Sequence, residues 1–271
     1  MICTNYYLGI NCTHDASACI LTETNKLVAI CEERINRVKH FTGFPYQAIF
    51  RCLSELNIPI STMPKRVVVN QDPSSEYDHC IYNIWPELDR CLITIYPSHH
   101  LLHALYAHVS SCLNDTAHLV LDGSGYPFSK YISNNASFVN ISPADPNACE
   151  ALSIFTIHGN TINEIHRSWD NWLEDNPKRF RFPSLGHMYS LAAQIIFGDW
   201  IYAGKVMGLA PYGNPDSFGF DIVSLQKNGL HIDTEWVLNF NYIENEKSYE
   251  SNIVACDLAA KVQNELEKGI I

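Results

Sequence analysis

The stretch "PSHHLLHALYAHVSSCL", residues 97–113, carries His99, His100, His103 and His108, four of the twelve histidines in the chain. On a helix, His99 and His103 stand at i and i+4, one turn apart on one face, and two imidazoles so placed can chelate one metal ion. His100 and His103, at i and i+3, match less well. Asp122 offers a third ligand. It ends the apolar run "HLVLD" and enters a turn made of Gly123, Ser124 and Gly125. Functional carboxylates often sit at strand ends facing a cleft. Two histidines and one carboxylate form an open metal site, favoured by Fe(II), with zinc as the alternative. The competing reading is structural. Helical histidines are commonly half-buried polar side chains, and an aspartate in a turn commonly bonds its own backbone. Gly123 and Gly125 fit both readings, because a backbone that approaches phosphate also needs glycine.

Three further groups have the right residue types for chemistry. His14 and Asp15 lie in the polar turn "THDAS", where His14 is either a general base or an ordinary turn residue. The segment "CEERINRVKH" (31–40) mixes Glu32 and Glu33 with Arg34, Arg37, Lys39 and His40. It reads as a solvated charged segment or as an anion site. In "GKVMGLAPYG" (204–213), Gly204, Gly208 and Gly213 allow close backbone approach and Lys205 can reach an anion. The Walker A spacing is absent.

The elements that position these residues follow from periodicity. "YYLGI" (6–10), "ACILTE" (18–23) and "LVAICEE" (27–33) read as strands, the last two joined by the tip "TNK". "YQAIFRCLSEL" (46–56) has helical spacing after Pro45, and "RVVVN" (66–70) is a short buried strand. The histidine segment is helical, with Ser98 as a candidate N-cap. "AHLVLDGSG" (117–125) is a strand entering a glycine turn. It repeats the strand-then-polar-turn pattern of 6–17 and suggests a loose internal duplication. Residues 130–182 give only short strand-like runs near 137–141 and 152–157, and include the basic "PKRFR" (177–181). "LGHMYSLAAQIIF" (185–197) is a buried helix. In the final amphipathic helix Val254, Leu258, Val262 and Leu266 share a face, which the sequence leaves without an evident partner.

Composition narrows the class. The formal net charge is −11 over 271 residues, which argues against general nucleic-acid binding. No run reaches the roughly 18 apolar residues of a membrane span, and "MICTNYYLGI" has no signal-peptide pattern. The ten cysteines are scattered without a C-x-x-C, so free thiols in a reducing cytoplasm are expected. No membrane partner is expected either.

Taken together, "LGINCTHDASACIL", "EERINRVKHFTGFP", "PSHHLLHA", "LVLDGSG", "SLGHMYS", "GKVMGLAPYG" and the terminal "DLAAKVQNELE" resemble the O-carbamoyltransferases of antibiotic and nodulation-factor biosynthesis, in the family's order. The resemblance implies an α/β fold with actin- and hexokinase-like (ribonuclease H-like) lobes, a mixed sheet and flanking helices. The same lobes occur in tRNA threonylcarbamoyl-transfer proteins. It places a first lobe at 1–115 and the start of a second, with an insertion, at 116–271. The implied reaction moves a carbamoyl group from carbamoyl-adenylate, made from carbamoyl phosphate and ATP, to a hydroxyl of a small-molecule or sugar acceptor. Carried over residue by residue, His99, His103 and Asp122 would hold the metal, usually iron. His14 and Lys39 match the carbamoyl site. Gly123, Ser124, Gly125, Gly204, Lys205 and Gly208 match nucleotide-binding stretches.

The chain departs from the family pattern at Tyr202-Ala203, where Gly-Glu usually precedes Gly-Lys, and at Tyr126, where the turn usually ends in Glu. Family members are also longer, so the second lobe is expected to be incomplete, with a separate chain supplying the remainder. A non-catalytic relic or binding subunit is the alternative. An oxygenase built on the two-histidine, one-carboxylate set is a third reading, which the surrounding motifs do not favour.

Overall fold

The computed structural model describes residues 5–70, 77–95, 98–133, 143–176, 179–226, 229–240 and 252–270. Cys3, the run at 137–141, and Pro177 and Lys178 of the basic segment lie outside them. The chain forms two compact units, 1–99 and 100–271.

The first unit is built on a five-stranded mixed sheet. Its strands are β1 (Tyr6–Asn11), β2 (Ser17–Thr22), β3 (Leu27–Cys31), β4 (Arg66–Asn70) and β5 (Ile93–Ile95). They lie in the order β3-β2-β1-β4-β5. β1–β2 and β2–β3 are antiparallel, whereas β4 runs parallel to β1 and β5 parallel to β4. The period of two is visible in β1, where Tyr6, Leu8 and Ile10 are buried and Tyr7 is exposed. Helix Tyr46–Glu55 lays Ala48, Ile49, Cys52 and Leu53 onto this sheet's core. Glu32, itself buried, fixes the start of that helix. Its carboxylate accepts the Gln47 and Ala48 amides at 3.2 and 2.7 Å, the favourable place for a negative charge on a helix.

The second unit holds an antiparallel sheet in the order β6-β7-β8, made of β6 (Asp115–Val120), β7 (Cys149–His158) and β8 (Thr161–Asp170). A second core gathers helix Leu185–Phe197, helix Ala203–Leu209 and the terminal helix Ile253–Ile270. Ser184 caps the first of these, accepting the His187 amide at 3.1 Å, and Gly198 ends it in the left-handed region at φ 79°.

The terminal helix differs from the expectation of a face without a partner. Ala255, Cys256, Leu258, Ala259 and Val262 are all buried in the core. Gly213 makes the approach possible, since a Cβ there would overlap the Cys256 carbonyl. Val254 alone of the four residues on the expected stripe stays largely exposed, at 45%.

The division between units falls inside the first turn of helix His99–Ser111. The reason is local. His100 bonds Ser153 on β7, and His108 bonds Thr116 on β6, so the helix is tied to the second sheet. Among the described residues no cysteine forms a disulfide. Cys12, Cys52, Cys80, Cys149 and Cys256 are buried, while Cys91 and Cys112 are exposed. No described helix is long and apolar enough to cross a membrane.

Candidate functional site

The four clustered histidines separate into three roles on one helix. His100 is fully buried and its Nδ1 meets Ser153 Oγ at 2.8 Å. His108 Nδ1 meets Thr116 Oγ1 at 2.7 Å, and Thr116 also contacts His118 Nε2 at 2.6 Å. His99 and His103, one turn apart on the same helix, converge with Asp122. Ligand atoms of the three all lie within 4.8 Å of one another, and His103 Nε2 stands 3.4 Å from Asp122 Oδ2. This is the i,i+4 pairing that the sequence favours over His100 with His103.

Asp122 is held by a tight turn beyond β6. The Gly123 amide donates to Asp122 Oδ1 at 2.7 Å, and Ser184 Oγ donates to the carbonyls of Asp122 and Gly123 at 3.2 and 2.5 Å. The start of helix Leu185–Phe197 presses on the same turn, because a Cβ on Gly186 would overlap the Asp122 carbonyl. His103 is half exposed and Asp122 a third exposed, and both line an open groove of about 500 Å³ with Ala104, Tyr106, His118 and Leu121. The hydrogen bond to Asp122 holds His103 above the ordinary imidazole value. Burial opposes the shift, and the charges of Asp122 and Glu150 add to it.

The sequence missed Glu150, which builds the floor of this turn. Its side chain is fully buried. It accepts the Tyr126 amide at 3.0 Å and the His100 amide at 3.4 Å, and it pairs with Arg167. The Gly125 amide donates to the Glu150 carbonyl at 2.8 Å, and only a glycine fits there, because a Cβ would overlap the Glu150 carboxylate. Arg167 also reaches Glu164 at 2.8 Å and lies over the rings of Phe155 and Trp169. No metal or nucleotide motif pointed to Glu150. Its only signal was a charge inside an otherwise apolar strand run.

His14 and Lys39 both belong to the first unit. His14 Nδ1 bonds Asp15 Oδ2 at 2.8 Å, and Asp15 Oδ1 meets His40 Nδ1 at 2.9 Å. Lys39 is 78% exposed and stands 3.8 Å from Glu33. Asp15, Glu33 and His40 also have ligand atoms within 4.8 Å of one another. Glu33 is, however, already balanced by Arg34 at 3.6 Å and Lys39 at 3.8 Å, which disfavours a cation there. His40 and Asp15 are 25 positions apart, so only the fold joins them.

Gly204 and Gly208 lie in helix Ala203–Leu209, not in a loop. A Cβ at either meets nothing within 4 Å, so no protein contact requires glycine at these two positions. Gly123 is equally open. Lys205 Nζ sits 3.7 Å from the Tyr202 ring centroid and 5.6 Å from that of Phe197, a cation–π arrangement.

No family model matches the chain. Over 225 residues it is 25% identical to nodulation protein NolNO of Sinorhizobium fredii (strain NBRC 101917 / NGR234), a span covering 74% of this chain and 28% of that protein. The chain is thus a distant relative of a nodulation protein and spans little more than a quarter of its length. This agrees, at the level of distant relationship, with the carbamoyltransferase family that the sequence motifs resemble.

Proposed function

We propose that the chain is part of an O-carbamoyltransferase that moves a carbamoyl group from carbamoyl-adenylate to the hydroxyl of a small-molecule or sugar acceptor. The observation that carries this reading is the convergence of His99, His103 and Asp122, three motif residues from two segments, within 4.8 Å. The five-stranded mixed sheet of the first unit supports an actin/hexokinase-like lobe. A separate chain, or further chain of the same protein, would supply the adenylate-forming activity.

The donor set fits a divalent metal. Two imidazole nitrogens and one carboxylate oxygen suit Fe(II) or zinc and leave coordination positions open. When bound, such a metal would supply Lewis-acid polarisation of an oxygen ligand. The residues of the chain have distinct tasks. His14 accepts the proton of the acceptor hydroxyl as its oxygen attacks the carbamoyl carbon. The bond from that carbon to the phosphate oxygen breaks and AMP leaves. The Lys39 ammonium offsets the negative charge that builds on the carbonyl oxygen. Gly123, Ser124 and Gly125 present backbone to the nucleotide, and the open sides of Gly204 and Gly208 admit it near Lys205.

The test is elemental analysis of the chain purified without oxygen, beside His103→Ala. Near-stoichiometric iron or zinc, lost in the variant, is the expected result. A folded chain that holds no metal overturns the assignment and leaves a non-catalytic subunit as the better reading.

A further inference from the structure

In the first unit one carboxylate holds two imidazoles. Asp15 Oδ2 meets His14 Nδ1 at 2.8 Å and Asp15 Oδ1 meets His40 Nδ1 at 2.9 Å. All three side chains are 43–61% exposed, so the geometry is set by the backbone beneath them rather than by burial. That backbone is specific. Asp15 and His40 both occupy the left-handed region, at φ 59° and 53°, which aspartate and histidine enter more readily than most non-glycine residues. The Asn11 amide donates to the carbonyls of His14 and Asp15 at 3.3 and 3.2 Å, and the Ala16 amide donates to the Phe41 carbonyl at 2.9 Å. The His40 amide donates to Glu33 Oε2 at 3.1 Å. The Ala16–Phe41 bond thus joins the two loops beside Asp15, while the other bonds brace each loop internally.

We propose that Asp15 is a positioning residue that holds His14 and His40 in the Nδ1–H form, which makes Nε2 the basic nitrogen of each ring, with His40 a second base of this site. A carboxylate accepts hydrogen bonds only, so each ring must donate through Nδ1, and that choice fixes which nitrogen is basic. Asp15 stays ionised for the task. Partial burial would raise its pKa, but the hydrogen bonds and charges of the two histidines outweigh this and lower it. The same logic orients metal-ligating and catalytic histidines elsewhere. What the two bases do chemically rests on the carbamoyl-transfer reading, whereas their tautomeric state does not.

Long-range proton–nitrogen NMR on the 15N-labelled full chain, well above the ordinary histidine pKa near 6.5, reads the tautomer of each ring. The expected spectrum shows protonated Nδ1 and bare Nε2 for both His14 and His40. Asp15→Gly, which tolerates the left-handed backbone, should release both rings to the Nε2–H form while leaving the amide spectrum elsewhere unchanged. Asp15→Asn offers one acceptor oxygen and one donor nitrogen, so one ring should keep Nδ1–H and the other should switch. A wild-type spectrum with Nε2–H on both rings, or tautomers unchanged in Asp15→Gly, overturns the proposal. The wild-type spectrum decides even if a variant fails to fold. Because the metal assay reads different residues, loss of metal in His103→Ala with the tautomers as stated would separate the two conclusions.

Discussion

Arg167→Met tests the floor beneath the Asp122 turn. The side chains of Glu150 and Arg167 are fully buried and that of Glu164 is 2% exposed. The guanidinium lies between the two carboxylates. Methionine keeps most of the stem that packs over Phe155 and Trp169, so the change removes charge and hydrogen bonds with little loss of volume. Breaking a buried pair from one side costs about 3–5 kcal/mol. For a unit of this size each kcal/mol lowers Tm by roughly 2–4 °C, so a fall of about 6–20 °C follows. The sign of the pH dependence is a second signature. Two buried carboxylates deprived of their cation have folded pKa values raised above the unfolded ones. Their penalty is therefore full at neutral pH and shrinks as pH falls through those raised values. Adding Glu150→Gln to Arg167→Met should recover part of the loss at neutral pH, because one of the two charges is gone. Denaturant titration from pH 7 to pH 5 measures all three quantities. A loss below about 1 kcal/mol, as an exposed or water-screened pair gives, or a deficit that grows with acid, would refute the reasoning.

Other positions give equally direct expectations. Glu265 accepts the Ile222 and Val223 amides at 2.9 Å and pairs with Lys268 and Lys261. Burial alone would raise its pKa, but these partners bring it down from 4.5 to about 2. Its contribution is thus present above pH 4.5 and lost as pH falls toward 2, and Glu265→Gln should flatten that part of the acid-unfolding curve. Gly213→Ala should destabilise the chain by about 1–3 kcal/mol in thermal unfolding, since its Cβ would overlap the terminal helix at Cys256. Gly204→Ala should stabilise helix Ala203–Leu209 by up to about 1 kcal/mol. If the nucleotide backbone lies against it, calorimetry should show weaker AMP binding from this stabilised variant. Lys205→Met should lose the cation–π contact with Tyr202, a cost of about 0.5–1 kcal/mol in the same unfolding assay.

How far the sequence reached depended on whether the relevant signal was local. β1, β2 and β4 were legible because apolar residues alternate or run together over five or six positions. The His99 and His103 pair was legible because a helix turn is a fixed period. β7 was legible only over 152–157 and β8 not at all, because Glu150 and Arg167 place charges in runs that read as surface. Each looks like a surface charge until the fold buries the two together. The terminal helix showed its stripe but not its partner. Its burial depends on Gly213, over forty positions earlier, which lets another segment close onto Cys256. The Asp15–His40 contact is hidden for a similar reason, since it needs two left-handed residues in different loops.

The two units share a device that explains why their candidate chemistry falls where it does. Each begins with a three-strand antiparallel meander, β1-β2-β3 in the first unit and β6-β7-β8 in the second. In each, the turn leaving the first strand carries an aspartate that meets histidine: Asp15 with His14 and His40, and Asp122 with His103. A first strand paired along its length is rigid, so the turn at its end can hold a carboxylate in place without burying it. The partner imidazole comes from a different local source in each unit. In the first it comes from the same turn and from a second loop, each ring meeting the carboxylate through Nδ1. In the second it comes from a helix, where His103 presents Nε2 to Asp122 with His99 alongside. One strand-and-turn plan thus places a carboxylate beside imidazoles in both units. What separates the two arrangements is where the second imidazole comes from, another loop in the first unit and one turn along the same helix in the second.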